Sequence, residues 1–292
     1  MKDIIVIVGP TGVGKTKLSI ELAKELDAEI INGDSVAIYK KLDIGSAKPS
    51  VEEREGIVHH LIDIRDVRED YSVFDYQRDC RRVIDEINSK GKRIIIVGGT
   101  GLYIKAALYD YKFLEGNTYN NYDDLSNEEL IKRIKAYNID KIPEINNRRR
   151  LERLLTKLDN GEEISNNKDD LLYPIKVIGL TTDREYLYER INKRVDMMIK
   201  NGLVDEILSL KDYYKDSRIL NSGIGYKEFS DYLFNNISLE EVIEKIKKDS
   251  RRFAKRQYTF FNNQFNTKWF DVDFDNFNNT IEEVYAHIIK EA

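Results

Sequence analysis

A buried strand that runs straight into a glycine-rich loop and then into an amphipathic helix constrains this 292-residue chain more than any other feature. Ile4-Ile5-Val6-Ile7-Val8 is a continuous, β-branched apolar run, the pattern of a strand covered on both faces of a parallel sheet. Gly9-Pro10-Thr11-Gly12-Val13-Gly14-Lys15-Thr16 follows at once and fits G-x-x-x-x-G-K-[ST], the P-loop pattern. Residues 17–26 then place Leu18, Leu22 and Leu26 at helical steps. The spacing has a physical cause. Glycines let successive backbone N–H groups point inward around a phosphate without side-chain clashes. The helix N-terminus beneath adds unpaired donors and the positive end of a dipole. Lys15 brings a full charge to the terminal phosphates. The Thr16 hydroxyl is placed to ligate Mg2+, an ion that prefers oxygen ligands and retains waters.

Strand and helix patterns keep alternating. Residues 29–31 read as a short strand ending at Asn32-Gly33-Asp34, 73–89 as a helix, and 93–97 as a buried strand ending at Gly98-Gly99-Thr100-Gly101. This alternation predicts an α/β fold with a doubly wound parallel sheet. Composition shifts near Tyr109. Residues 115–127 and 159–170 are polar and flank two charged helical stretches, 128–137 and 148–158. Residues 110–172 therefore read as a small helical insertion, with the catalytic core at 1–109 and 173–292. A strand at 175–180 returns the chain to the sheet, and helices are predicted over 185–210 and 239–264.

Composition narrows the function classes. Apolar residues make up 41%, enough for a full core. One cysteine, Cys80, excludes an intramolecular disulfide, and with three histidines cannot build a zinc finger. The first apolar run is too short for a signal peptide or a membrane span, so a cytoplasmic location with no membrane contact is expected. A net charge of −5 gives no general pull toward nucleic acid, so any RNA contact must come from local patches.

Several residues stand where chemistry could occur. Many P-loop ATPases end an apolar strand in a Walker-B aspartate, but 93–97 ends in Gly98-Gly99-Thr100. The acid stands instead at Asp34, at a strand's C-terminal end, where open α/β folds bind ligands. Asp34 could be a general base, a hydrogen-bond acceptor for a nucleophile, a magnesium ligand or a turn residue. Thr100 has the same placement, with a helix cap as its structural role. Arg184, Arg190 and Arg194 form a third group just after the returning strand and could reach the phosphate pocket. Arg148-Arg149-Arg150 with Arg153 is an arginine-only cluster suited to phosphate contact. Arg251-Arg252, Lys255 and Arg256 form a second cluster that could equally be a solvated face. His59-His60 is expected to be structural, because adjacent side chains diverge and lack metal-binding partners. Asn167-Lys168-Asp169-Asp170 matches a GTPase pattern but has no strand before it, and reads as chance.

Taken in order, the motifs resemble the tRNA dimethylallyltransferases (isopentenyltransferases). The resemblance rests on the P-loop with Gly33-Asp34-Ser35, Leu42-Asp43-Ile44-Gly45-Ser46-Ala47-Lys48-Pro49, His59-His60-Leu61-Ile62-Asp63 and Val97-Gly98-Gly99-Thr100-Gly101-Leu102-Tyr103. It continues through Arg190-Ile191-Asn192-Lys193-Arg194-Val195-Asp196, Gly202-Leu203-Val204-Asp205-Glu206, Gly223-Ile224-Gly225-Tyr226-Lys227-Glu228 and Ala254-Lys255-Arg256-Gln257.

The resemblance implies a P-loop NTPase- or kinase-like fold whose loop, with Arg190 and Arg194, binds the diphosphate of dimethylallyl diphosphate. It implies Lys15, Asp34 and Thr100 as catalytic groups. Asp34 would accept the proton of an adenine exocyclic amine, and Thr16 would hold the Mg2+. Asp34, Ser35, Val36, Ala37 and Thr100 would meet the RNA. So would Arg149, Arg150, Leu151, Glu152 and Arg153 in the insertion, which would grip the anticodon stem-loop of tRNA; Arg252, Lys255 and Arg256 are expected to add phosphate contacts. The target base would have to be extruded to reach the pocket. The protein is expected to act as a monomer. A small-molecule kinase binding ATP, with Arg190 and Arg194 as lid arginines, is the first alternative. A non-enzymatic, nucleotide-gated RNA-binding protein is the second. Against the family pattern the insertion is short, and Ser250-Arg251 and Phe260-Phe261 replace its usual Thr-Arg and Trp-Phe.

Overall fold

The computed structural model describes residues 2–111, 120–139, 142–161 and 170–290. The chain divides into two compact units, residues 1–110 with 171–292, and residues 111–170.

The larger unit is built on β1 (Ile4–Val8), β2 (Ala28–Asn32), β3 (His59–His60), β4 (Arg93–Val97), β5 (Ile175–Thr181) and β6 (Thr267–Asp271). These form one sheet in the order β3-β2-β4-β1-β5-β6, and every pairing is parallel. All five residues of β1 are buried, as are those of β2, because helices cover both faces. Alternate residues of each strand feed opposite cores. Ile5, Ile7, Ile30 and Ile95 pack with α1 (Lys15–Leu26) and α11 (Phe277–Lys290). Val6, Val8, Ile31 and Ile96 pack with α2 (Val73–Ser89), α3 (Gly101–Leu108) and α10 (Leu239–Gln264). Capping boxes at Ser72 and Ser238 set the starts of α2 and α10.

Helices α4 (Asn127–Lys135) and α5 (Arg148–Asp159) make up the smaller unit, around Tyr122, Leu130, Ile134, Leu151, Leu155 and Leu158. Arg148 is internal to it. Its guanidinium donates to the carbonyls of Leu125 and Tyr122, both at 2.8 Å, and pairs with Glu152 at 2.7 Å.

The helix predicted over 185–210 is two helices, α6 (Arg184–Lys200) and α7 (Leu203–Ser209). The apolar period runs through, but Gly202 sits at φ +98°, a left-handed conformation that ends one helix and starts the next. Short helices α8 (Arg218–Ser222) and α9 (Phe229–Phe234), strand β6 and helix α11 lie outside the predicted elements, although Thr280, Val284 and Ile288 of α11 repeat at helical steps and are buried. Both β3 histidines hydrogen-bond within the fold. His60 Nε2 lies 2.7 Å from the buried carboxylate of Glu29, and His59 Nδ1 lies 2.9 Å from the Ile57 carbonyl. The Asn167–Asp169 part of the GTPase-like pattern lies outside the described residues. No described helix is long and apolar enough to cross a membrane.

Candidate active site at the C-terminal ends of the central strands

Three loops leave the sheet side by side. The P-loop follows β1, Gly33–Asp34 follows β2, and Gly98–Thr100 follows β4, which lies between the other two. Chain order and spatial order differ here, so the connections diverge and open a crevice at the strand ends. The cleft has a volume of about 850 Å³ and is walled by these loops, by α6 and by α10.

The P-loop takes the shape its glycines permit. Gly9, Gly12 and Gly14 have φ of +138°, +88° and +94°. A Cβ on Gly9 would lie 2.5 Å from the Leu180 carbonyl oxygen, and one on Gly14 would lie 2.6 Å from the Phe277 ring. Pro10 and Val13 are buried, so they shape the loop from beneath, while Thr11, Gly12, Gly14, Lys15 and Thr16 line the cleft. Lys15 folds back over the loop and donates to the carbonyls of Gly9 (3.1 Å) and Pro10 (2.8 Å). Its pKa falls to about 8, first because burial penalises the ammonium and then because Arg194 is close. Asp34 pulls in the opposite direction. Burial likewise lowers the Arg194 guanidinium, and Asp34 again opposes the shift. Arg190 donates from Nε to the Gly12 carbonyl at 3.1 Å and lies 3.9 Å from the centroid of the Phe274 ring. Both arginines of α6 therefore reach the phosphate loop, and both line the cleft.

Asp34 is half-buried and held from both ends. Its backbone N–H donates to Asn32 Oδ1 at 3.0 Å, and its carboxylate Oδ1 accepts from Val36 N–H at 2.9 Å. Turn and site roles coexist, because Oδ2 remains on the cleft side, 3.8 Å from where a Cβ on Gly99 would lie. Thr100 stands at the N-cap of α3, yet its hydroxyl makes no capping bond. It accepts from Ser35 N–H at 3.0 Å and donates to Ser35 Oγ at 3.2 Å. Thr100 thus ties the β4 loop to the β2 loop. Ser35, Val36 and Ala37 continue along the same wall.

The two basic clusters differ. On α5, Arg149, Arg150 and Arg153 are exposed on the smaller unit, while Leu151 is in its core and Glu152 pairs with Arg148. On α10, Arg252 and Lys255 are exposed; Arg252 lies 3.6 Å from Asp249. Arg256 reaches the cleft wall beside Phe253.

Three residues act here that were not singled out as site residues from sequence. Gln257 donates from Nε2 to the Gly99 carbonyl at 3.0 Å and accepts at Oε1 from Thr11 N–H at 3.2 Å. Lys48, with 3% of its side chain exposed, donates to the Tyr39 carbonyl and to Asp43, both at 2.8 Å. Glu206 accepts the backbone N–H groups of Asp43, Ile44 and Gly45, and the Tyr226 hydroxyl at 2.7 Å, fixing the loop that carries Lys48. Gln257 had a legible signal. It is a polar residue on the buried stripe of α10, between Ala254 and Phe261.

Magnesium chemistry is compatible with the donors present. Among the described residues no group of three or more His, Cys, Asp or Glu is arranged to hold a metal ion. A divalent ion at Thr16 would therefore need phosphate and water oxygens to complete its shell, the usual habit of Mg2+.

Residues 37–264 match the family model described as IPP transferase. The chain is 45% identical to the tRNA dimethylallyltransferase of Geobacillus thermodenitrificans (98% of this chain, 96% of that one). It is also 45% identical to that of Streptococcus agalactiae (96% and 95%). Among solved structures it resembles the tRNA delta(2)-isopentenylpyrophosphate transferase of Staphylococcus epidermidis, with a TM-score of 0.77, 37% identity and both chains fully covered. It also resembles a eukaryotic dimethylallyltransferase acting on tRNA, with a TM-score of 0.82, 28% identity and 98% of this chain against 78% of that one.

Proposed function

The chain belongs to the IPP transferase family and catalyses prenyl transfer to tRNA; we propose how its cleft carries out that transfer. The donor is dimethylallyl diphosphate, and the acceptor is the exocyclic N6 amine of the adenosine adjacent to the anticodon. The observation that carries this reading is the placement of a half-buried carboxylate, Asp34, in one cleft with two cations that feel its charge, Lys15 and Arg194. One side of the cleft suits a departing anion, and the other suits a departing proton.

The adenine amine is a weak nucleophile because its lone pair is delocalised into the ring. Most of the assistance must therefore act on the leaving group. As a bond forms between N6 and C1 of the prenyl chain, the C1–O bond breaks and its electrons leave with the diphosphate. Lys15, Arg190, Arg194 and the loop N–H groups stabilise that growing charge. The negative charge of a bound diphosphate opposes the burial and the Arg194 charge that lower the Lys15 pKa, and so favours the ammonium form. A magnesium ion at Thr16 would supply further charge neutralisation on the diphosphate. The N6 proton passes to Asp34 Oδ2, since Oδ1 is engaged by Val36 N–H. Thr100 holds Ser35, and so keeps the carboxylate on the acceptor side of the cleft. The target base leaves its stack to enter, as base-modifying chemistry requires.

The test is a transfer assay with purified protein, Mg2+, labelled dimethylallyl diphosphate and unmodified tRNA, with ATP omitted. Label in the adenosine beside the anticodon is the expected result. No label with folded protein that still binds tRNA would overturn the donor assignment.

A further inference from the structure

Gln257 hydrogen-bonds two of the loops that wall the cleft at once. It projects from α10 and is only 4% exposed. Its amide bridges the first part of the P-loop and the loop after β4. Thr11 N–H can only donate and the Gly99 carbonyl can only accept, so the orientation of the amide is dictated by its partners. The primary amide carries its donor and its acceptor on one uncharged, planar tip. Glutamate cannot donate to Gly99, and lysine cannot accept from Thr11.

Gly99 is the reciprocal half of the arrangement. A Cβ there would lie 2.0 Å from Gln257 Nε2. Any side chain at Gly99 would expel the amide, so this glycine is required by contact rather than by backbone conformation. The same point lies 3.8 Å from Asp34 Oδ2. From Gly99 the connection passes to Thr100, whose hydroxyl holds Ser35, the residue after Asp34. A continuous set of short contacts therefore runs from Thr11 through Gln257, Gly99 and Thr100 to the carboxylate.

We propose that Gln257 is a positioning residue that sets the separation between the phosphate loop and the Gly99–Thr100/Asp34 wall, and so between the two reactants. The inference rests on the prenyl-transfer reading of the cleft. Its physical consequence is selective. Each substrate binds to its own loop, so affinity for each survives loss of the bridge. The transfer itself requires the reacting atoms at about 3–3.5 Å, and a displacement of about 1 Å costs about a hundredfold in rate. The bridge should therefore act on kcat and leave both binding steps nearly unchanged.

Four proteins test this: Gln257→Glu, Gln257→Ala, Gly99→Ala and the double variant Gly99→Ala/Gln257→Ala. Each is measured for kcat, for KM of both substrates, and for direct binding of inorganic diphosphate and tRNA. The near-isosteric Gln257→Glu guards against simple misfolding, checked by its thermal midpoint. The expected result is a fall in kcat of about 10- to 100-fold in each single variant, with diphosphate and tRNA affinities within about threefold, less than 1 kcal/mol, of the parent. The double variant should be no worse than Gln257→Ala alone, because the alanine at 99 then has space, and such non-additivity is the mark of a direct coupling. Parent-like kcat in Gln257→Glu and Gln257→Ala, or fully additive losses in the double variant, would overturn the proposal. Asp34→Ala run in parallel separates the two ideas. A dead Asp34 variant beside normal Gln257 variants removes only the bridge. An inactive parent protein removes the transfer reading and this inference with it.

Discussion

Lys15 and Asp34 are opposite charges in one cleft, and each responds to pH or substitution in a way that can be measured. Lys15 has a pKa of about 8 and an anion beside it restores the charged form. Binding of diphosphate must then take up a proton above pH 8, but not below pH 7. Affinity should weaken by up to about tenfold per pH unit above that pKa. Calorimetric titration of diphosphate between pH 7 and 9.5 checks this, with Lys15→Met as the reference that retains only the ligand's own titration. An equal slope in both proteins would remove Lys15 from the effect. Asp34→Asn keeps the bond to Val36 N–H but cannot take a proton. It should lose transfer by at least about a hundredfold, the lower bound set by general-base catalysis, while diphosphate still binds. Near-normal single-turnover rates in that variant would refute the base assignment. These identities were readable from sequence because a P-loop lysine and a strand-end aspartate occupy positions set by local geometry. The Lys15 shift was not, because it depends first on burial in the assembled cleft and then on Arg194, 179 positions along the chain.

At the level of elements, the site depends on how closely two strand exits approach. Gly33 N–H donates to the Val97 carbonyl at 2.7 Å, and Thr100 N–H donates to the Gly33 carbonyl at 3.0 Å. A Cβ on Gly98 would lie 2.2 Å from the Gly33 carbonyl carbon, and the atoms it meets are all Gly33 backbone, which cannot rotate away. Gly98→Ala should cost about 3 kcal/mol, the upper end of ordinary overpacking, and should lower the thermal midpoint together with activity. A stable, active Gly98→Ala protein would mean that the loops can separate without consequence. Strand and helix periods gave β1, β4, α2 and α10 with the bounds observed. They could not show the break at Gly202, because apolar spacing continues through it while the backbone does not.

On the scale of the whole molecule, the smaller unit leaves and rejoins the core at one place. Tyr109 and Leu171 form a bridge, and Leu172 N–H donates to the Leu108 carbonyl at 2.9 Å. Residues 111–170 also have their own apolar core. Replacing them with a short turn should leave a folded larger unit that binds diphosphate, detectable by a cooperative melt and calorimetry. It should no longer transfer to tRNA. An unfolded product would mean that the two units stabilise each other. Within the intact chain, Arg149→Glu with Arg153→Glu should weaken tRNA binding. It should also flatten the dependence of log affinity on log salt by roughly one unit per lost phosphate contact. Unchanged tRNA affinity would take α5 out of the RNA contact, while diphosphate binding is expected to stay constant in either case.

Sequence by itself determined the parallel α/β core, the glycine-shaped loop after β1 and the strand-end position of Asp34 and Thr100. Each of these follows from local patterns: period, glycine placement, a cap or a turn. Tertiary structure alone decided what those loops do to one another. That Thr100 holds Ser35 rather than capping α3, that Arg190 rests on Phe274, and that Gln257 joins Thr11 to Gly99 are consequences of parallel strand order. The crossover that inserts β4 between β1 and β2 brings together segments 65 to 246 residues apart. Contacts of that separation are chosen by packing of the whole core, and no short window of sequence contains them.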